Sequence, residues 1–206
     1  MLARKMDRLQ RMVFPVTSGL PAKSMFEIIG GTNKMNIELQ DWEMDLGAGN
    51  YWELVALASF VKRFSPKVIF EIGTGHGRST LQMANNTPED TVIHTLDISD
   101  EHPVGLIIKD KPQMEKIRRI KASSQEFDYT PFHEKVDFVL VDGAHDYGNV
   151  MADSEKAFDM VSKKGHIIWD DFSPAWSGVV KALKEIRQSR EVFRIPGTSY
   201  VIYTQP

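Results

Sequence analysis

The sequence predicts an α/β fold: a doubly wound, mostly parallel sheet that ends in a C-terminal antiparallel hairpin strand. Three observations carry this expectation. From residue 50 onward, short apolar runs alternate with stretches in which apolar residues recur at helical spacing. The first run ends in a glycine-rich turn, FEIGTGHGRST at 70–80, which passes directly into a helical pattern. The last two runs, EVFRI and YVIYT, flank PGTS, as the arms of a hairpin flank its turn.

The elements follow in order. Residues 1–49 are expected to be an N-terminal cap or subunit-contact segment. KMDRLQRM within it reads as a short basic amphipathic helix. Pro15, Gly19, Pro21, Gly30, Gly31, Gly47 and Gly49 then interrupt the chain too often for long elements. Residues 50–206 form the expected domain. YWELVALASFVKRF is a helix that stops before Ser65 and Pro66. KVIFEIG is a strand, RSTLQMANN a helix, TVIHTLD a strand and PQMEKIRR a helix. VDFVLVDG is a strand, and VMADSEKAFDMV is a helix closed by Lys163, Lys164 and Gly165. HIIWDD is a strand and GVVKALKEIRQS a helix before the hairpin. Ligands of such sheets sit beyond the carboxyl ends of the strands, near the point where strand order reverses.

Composition narrows the function. A chain of 206 residues suits one well-packed domain with an appendage. A net charge of −3 gives no global attraction to nucleic acid or anionic lipid. The absence of cysteine excludes disulfides, thiolate catalysis and Cys-ligated metals, and suits the cytoplasm. The first residues carry charges where a signal peptide needs an apolar core. No apolar run approaches the roughly 18 residues that span a bilayer.

The glycine loop raises the question of its ligand. A dinucleotide site wants a third glycine five residues after Gly73, and that position is Arg78. Glu71, at the end of the strand, would repel a pyrophosphate and attract a cation. S-adenosylmethionine (SAM), with an amino group, a sulfonium and no phosphate, is such a ligand. Asp97 ends the next strand, 26 residues after Glu71, where an acid can accept hydrogen bonds from both ribose hydroxyls. NAD sites use the same device. Ser123, Ser124 and Gln125 offer hydrogen bonds to an adenine edge.

With these residues in place, the chain resembles the class I SAM-dependent methyltransferases, whose fold is Rossmann-like. It is most similar to the macrocin O-methyltransferase and cephalosporin-hydroxylase-like group, and shares a metal motif with catechol O-methyltransferases. The resemblance covers about residues 50–206. FEIGTGHGRST resembles the first family motif, HTLDIS the ribose motif and ASSQ the adenine-side motif, while VLVDGAHDYGNVMADSEKAF and GHIIWDDFS match two further blocks. The cofactor residues implied are Glu71, Gly73, Thr74, Gly75, Gly77, Ser79, Asp97, Ser124, Gln125 and Asp142. The segment VDGAHDY lacks the prolines common in enzymes that methylate nitrogen, which favours a hydroxyl acceptor on a small molecule.

Three acids complete the expected site. Asp142 ends the fourth strand, and Asp170 and Asp171 end the fifth, 28 and 29 residues later. Neighbouring parallel strands bring such ends together, and crowded carboxylates favour a hard divalent cation such as Mg2+. The resemblance implies the same three ligands, although the last is commonly an amide and here is Asp171. His145 stands near the position where catechol-type enzymes place a lysine base, and histidine suits proton removal near neutrality. His145 and Asp142 are therefore the expected catalytic residues. Trp42, Tyr51, Trp52, Trp169 and Trp176 are candidates for an apolar acceptor pocket or for core. Three alternatives stay open: an NAD(P)-dependent oxidoreductase, a non-catalytic SAM-binding subunit, and hydroxylase chemistry on this fold. No nucleic acid or membrane partner is expected; a homo-oligomer is left open.

Overall fold

The computed structural model of the protein describes residues 19–31, 34–41, 51–98 and 104–204. The expected helix KMDRLQRM, and Trp42, lie outside the described residues. Among the described residues the helices are α1 (Met25–Ile29), α2 (Tyr51–Phe64), α3 (Arg78–Asn85), α4 (Tyr147–Met160) and α5 (Ser177–Ile186). The strands are β1 (Val68–Ile72), β2 (Val92–Asp97), β3 (Ile117–Lys121), β4 (Val136–Val141), β5 (Val161–Trp169), β6 (Val192–Arg194) and β7 (Val201–Thr204).

They form one seven-stranded sheet in the order β3-β2-β1-β4-β5-β7-β6. The first five strands are parallel, and β7 runs antiparallel between β5 and β6. Strand order reverses between β1 and β4, so the carboxyl ends of these two central strands flank the place where a ligand is expected. Alternate residues of each strand feed two cores. Phe70 and Ile72 of β1 pack with Val150, Ala157, Val179 and Leu183 of α4 and α5. Ile69 packs with Leu57, Phe60 and Leu81 of α2 and α3. Each such buried side chain contributes about 1.5–3 kcal/mol, which fixes the register of β1 and with it the position of the glycine loop.

Two expectations are corrected. PQMEKIRR is not one helix: a 3-10 turn over Pro112–Lys116 gives way to β3 at Ile117. Ile117 and Ile120 are three residues apart, which reads as helical spacing. An edge strand has no need to alternate strictly, and exposed Arg118 and Arg119 protect the edge from pairing with other chains. Likewise, Lys163, Lys164 and Gly165 do not form a connecting loop. β5 begins at Val161, directly after α4, and its pairing with β4 shifts between Val136 and Phe138. At Gly165 a Cβ would lie 2.5 Å from Val161 Cγ2 and 2.9 Å from the Val136 carbonyl oxygen, so only glycine fits the irregularity.

Part of the N-terminal segment is pinned to the domain. Gln82 and Asn86, fully buried on and just after α3, use their amides as a strand would use its backbone. Asn86 binds the backbone N–H of Glu38 at 2.8 Å and its carbonyl at 2.7 Å. Gln82 binds those of Gln40 at 3.1 and 2.8 Å. Asp41 then pairs with Lys111 at 2.6 Å. No helix among the described residues is long and apolar enough to cross a membrane.

Candidate active site

The glycine loop leaves β1 and enters α3 through Gly77. At Gly73 the backbone has φ +98°, and a Cβ would stand 1.9 Å from the Asp142 carbonyl oxygen. The β1 and β4 ends approach so closely that no side chain can separate them. The Gly75 N–H donates to Asp97 Oδ2 at 2.9 Å, which ties the loop to the end of β2. Thr74 Oγ1 lies 2.6 Å from Thr95 Oγ1. Ser79 sits in the first turn of α3.

Glu71 is fully buried beneath this loop. Its Oε2 accepts from Thr80 Oγ1 and Thr95 Oγ1, both at 2.5 Å, while Oε1 has no partner among the described residues. Burial pushes this carboxyl up to about 7, against the two hydroxyl bonds that hold it down. On the far side, Gln125 Nε2 reaches Asp153 Oδ1 at 3.0 Å and Ser124 Oγ at 3.2 Å. Asp153 lies on the buried face of α4, where burial raises its pKa and the bonds from Ser124 and Gln125 lower it.

The acids gather where β4 and β5 end. A small cleft, partly open to solvent, is lined by Asp142, His145, Trp169, Asp170 and Asp171 among others. His145 Nε2 lies 2.7 Å from Asp171 Oδ2, with both side chains about one-third exposed. The His145 ring stacks on Trp176 at 3.9 Å between centroids. The Asp171 hydrogen bond raises the His145 pKa above its ordinary value, against the opposing effect of burial. Burial, then repulsion from Asp170, Asp171, Glu71 and Glu53, pushes the Asp142 carboxyl well up. Asp142, His145 and Asp171 each offer one ligand atom, all within 4.8 Å of one another.

Asp170 faces a different set of partners. Its Oδ1 accepts from the Asp171 N–H at 2.5 Å and lies 2.5 Å from Ser199 Oγ. Ser199 Oγ also lies 2.8 Å from Glu53 Oε1. A serine hydroxyl has one hydrogen, so the second of its two contacts requires a proton on a carboxyl. Asp170, pushed up to about 7 by burial and then by Glu53 and Asp171, suits that role. Tyr200 is buried alongside, its hydroxyl pKa raised by burial and then by these acids.

The cleft thus brings together Asp142, His145 and Asp171, and sets Asp170 against Ser199. Trp169 belongs to the core, its Nε1–H donating to Ser154 Oγ at 2.8 Å. Trp176 stands at the cleft, and Tyr51 and Trp52 are exposed. Glu53, Asp153, Ser199 and Tyr200 escaped the sequence reading. Asp153 alone left a signal, as an acid within the apolar stripe of α4.

This sheet order, with the glycine loop after β1 and acids after β2, β4 and β5, is the class I methyltransferase fold. A family model described as a methyltransferase domain matches residues 70–172, half of the 206-residue chain, and the chain belongs to that family. No curated protein matches its sequence. Solved structures share the fold at low identity. The O-methyltransferase from Bacillus cereus, in complex with S-adenosylhomocysteine (SAH), has a TM-score of 0.60 and 18% identity over 97% of each chain. The SAH-bound methyltransferase PaMTH1 of Podospora anserina has a TM-score of 0.59 and 19% identity over 77% of this chain and 80% of its own. The TDP-rhamnose 3'-O-methyltransferase CalS11, an enzyme in calicheamicin biosynthesis, has a TM-score of 0.60 and 15% identity over 75% of this chain and 79% of its own.

Proposed function

We propose that the protein transfers a methyl group from SAM to a hydroxyl of a small molecule. The observation that carries the reading is the junction of two half-sites at the sheet's switch point. The glycine loop tied to Asp97 lies against the backbone of Asp142, which begins the cleft containing His145 and Asp171. The SAH in two of the similar structures, and the O-methyl transfer named for two of them, support the same reading.

SAM supplies an activated methyl group on a sulfonium. Gly73, Thr74, Gly75, Gly77 and Ser79 would hold its amino-acid part, Asp97 its ribose, and Ser124 and Gln125 its adenine. The fit rests on Glu71: a buried carboxylate with one unpartnered oxygen beneath the loop suits a cationic ligand and opposes a pyrophosphate. His145 then serves as base. Its Nε2–H donates to Asp171, which leaves Nδ1 to take the acceptor's proton. Trp176 fixes the plane of the ring.

A second use of the same atoms is favoured by the spacing of Asp142, His145 and Asp171. These residues would hold a divalent cation, which supplies a lowered pKa to a bound hydroxyl. Two carboxylates and an imidazole suit Mn2+ or Fe2+ at least as well as Mg2+. The two uses exclude each other, because a ligating nitrogen of His145 can neither carry the proton for Asp171 nor take one from the acceptor.

Calorimetry with SAM, SAH and NAD tests the cofactor; NAD binding without SAM binding overturns the proposal. Methyl transfer before and after exhaustive chelation separates the two uses of the cleft. Undiminished turnover leaves His145 and Asp171 acting without a metal, whereas loss restored by added Mn2+ or Mg2+ assigns the cation.

A further inference from the structure

Glu53, Ser199, Asp170 and Asp171 come from three distant parts of the chain and form one continuous hydrogen-bonded line. Glu53 lies on α2 and is 8% exposed. Its Oε1 accepts both the backbone N–H and the hydroxyl of Ser199, each at 2.8 Å. Ser199, in the turn between β6 and β7, holds the segment after β5 at two points. Its Oγ meets Asp170 Oδ1, and its carbonyl accepts the Phe172 N–H at 2.9 Å.

Asp171 lies between these two grips. Its N–H is bound by Asp170 Oδ1 and its carbonyl accepts from the Ser173 N–H at 2.7 Å. Its φ of +61° is left-handed, a conformation that a residue with a Cβ keeps only when its surroundings impose it. That turn aims Asp171 Oδ2 at His145 Nε2.

We infer that Ser199 and Glu53 are positioning residues for the Asp171–His145 pair, so that α2 and the terminal hairpin set the geometry of proton removal. The inference rests on the methyl-transfer reading above. The line fixes the backbone of Asp171, and so serves its carboxylate equally as the partner of His145 and as a cation ligand. Glu53 fixes Ser199, Ser199 fixes Asp170, and Asp170 closes the turn. None of the three need touch the acceptor.

Ser199→Ala removes the hydroxyl and keeps the backbone bonds. A small displacement of a reacting group lowers turnover steeply, so kcat should fall about ten- to a hundredfold while SAH affinity stays unchanged. The proton resonance of His145 Nε2–H, read by NMR in the chelator-treated protein, should broaden or shift. Ser199→Thr retains the hydroxyl and should restore both signals. Wild-type kcat in Ser199→Ala, an unchanged His145 resonance, or equal impairment of Ser199→Thr each overturns the inference. Glu53→Gln weakens the bonds to Ser199 and should move both readouts the same way by less; it replaces Ser199→Ala if that variant does not fold, and no movement in either readout overturns the inference. If the wild-type protein transfers no methyl group to any acceptor, the methyl-transfer reading fails by itself, and the His145 resonance alone decides the positioning.

Discussion

Glu71→Gln should make the protein more stable above neutrality and worse at binding SAM. Burial raises the Glu71 pKa from its ordinary value of 4.5 to about 7. Below pH 4.5 the carboxyl is protonated in both folded and unfolded chains and contributes no pH dependence. Between 4.5 and about 7 the unfolded chain releases this proton and the folded chain keeps it, so stability falls as pH rises. A tenfold difference in proton affinity between the two states is worth about 1.4 kcal/mol, which places the full penalty above pH 7 at about 3 kcal/mol. Glutamine retains an oxygen for Thr80 and Thr95 and carries no charge. Urea denaturation at pH 4 and pH 8 measures the effect. The variant should match the wild type at pH 4 and exceed it by about 3 kcal/mol at pH 8. SAM binding, by calorimetry at pH 8, should weaken because the buried negative charge is gone. Equal wild-type and variant stabilities at pH 8 would refute the electrostatic account of Glu71.

Three further outcomes are expected. Asp97→Ala removes the acceptor of the Gly75 N–H and the expected ribose partner, and SAM affinity should drop by about 1–3 kcal/mol in calorimetry. Gln82→Ala leaves the Gln40 N–H and carbonyl without their partner, and should destabilise the fold by about 1–3 kcal/mol in urea; a change below about 0.5 kcal/mol would mean that the amide contacts hold nothing. His145, raised by its Asp171 bond, should be the base whose protonation limits activity on the acid side, with a midpoint above about 6.5. Asp171→Asn should lower that midpoint along with turnover. Since the pair's contribution to stability is complete below pH 6.5 and is lost as pH rises through the raised value, the same variant should lose stability mainly at low pH.

Residue order alone specifies the alternation of strands and helices, the glycine loop and the placing of acids at strand ends. Each is a local property: apolar period, glycine spacing, or the last residue of a run. Gly73, Asp97 and Asp142 meet because parallel strands put their carboxyl ends side by side, and that follows from chain order. β3 and the start of β5 were hidden because Ile117 and Ile120 mimic helical spacing and because Gly165 reads as a loop until the approach of Val136 is seen. How the acids divide is settled only by tertiary packing. Asp170 and Asp171 are neighbours in sequence, yet the left-handed turn at Asp171 sends one carboxylate to His145 and leaves the other with Ser199. Ser199 is held by Glu53, 146 residues earlier in the chain. No local pattern encodes a contact across that distance; it exists only once α2 has packed on the sheet and β7 has paired with β5, which brings the turn before β7 to the same end.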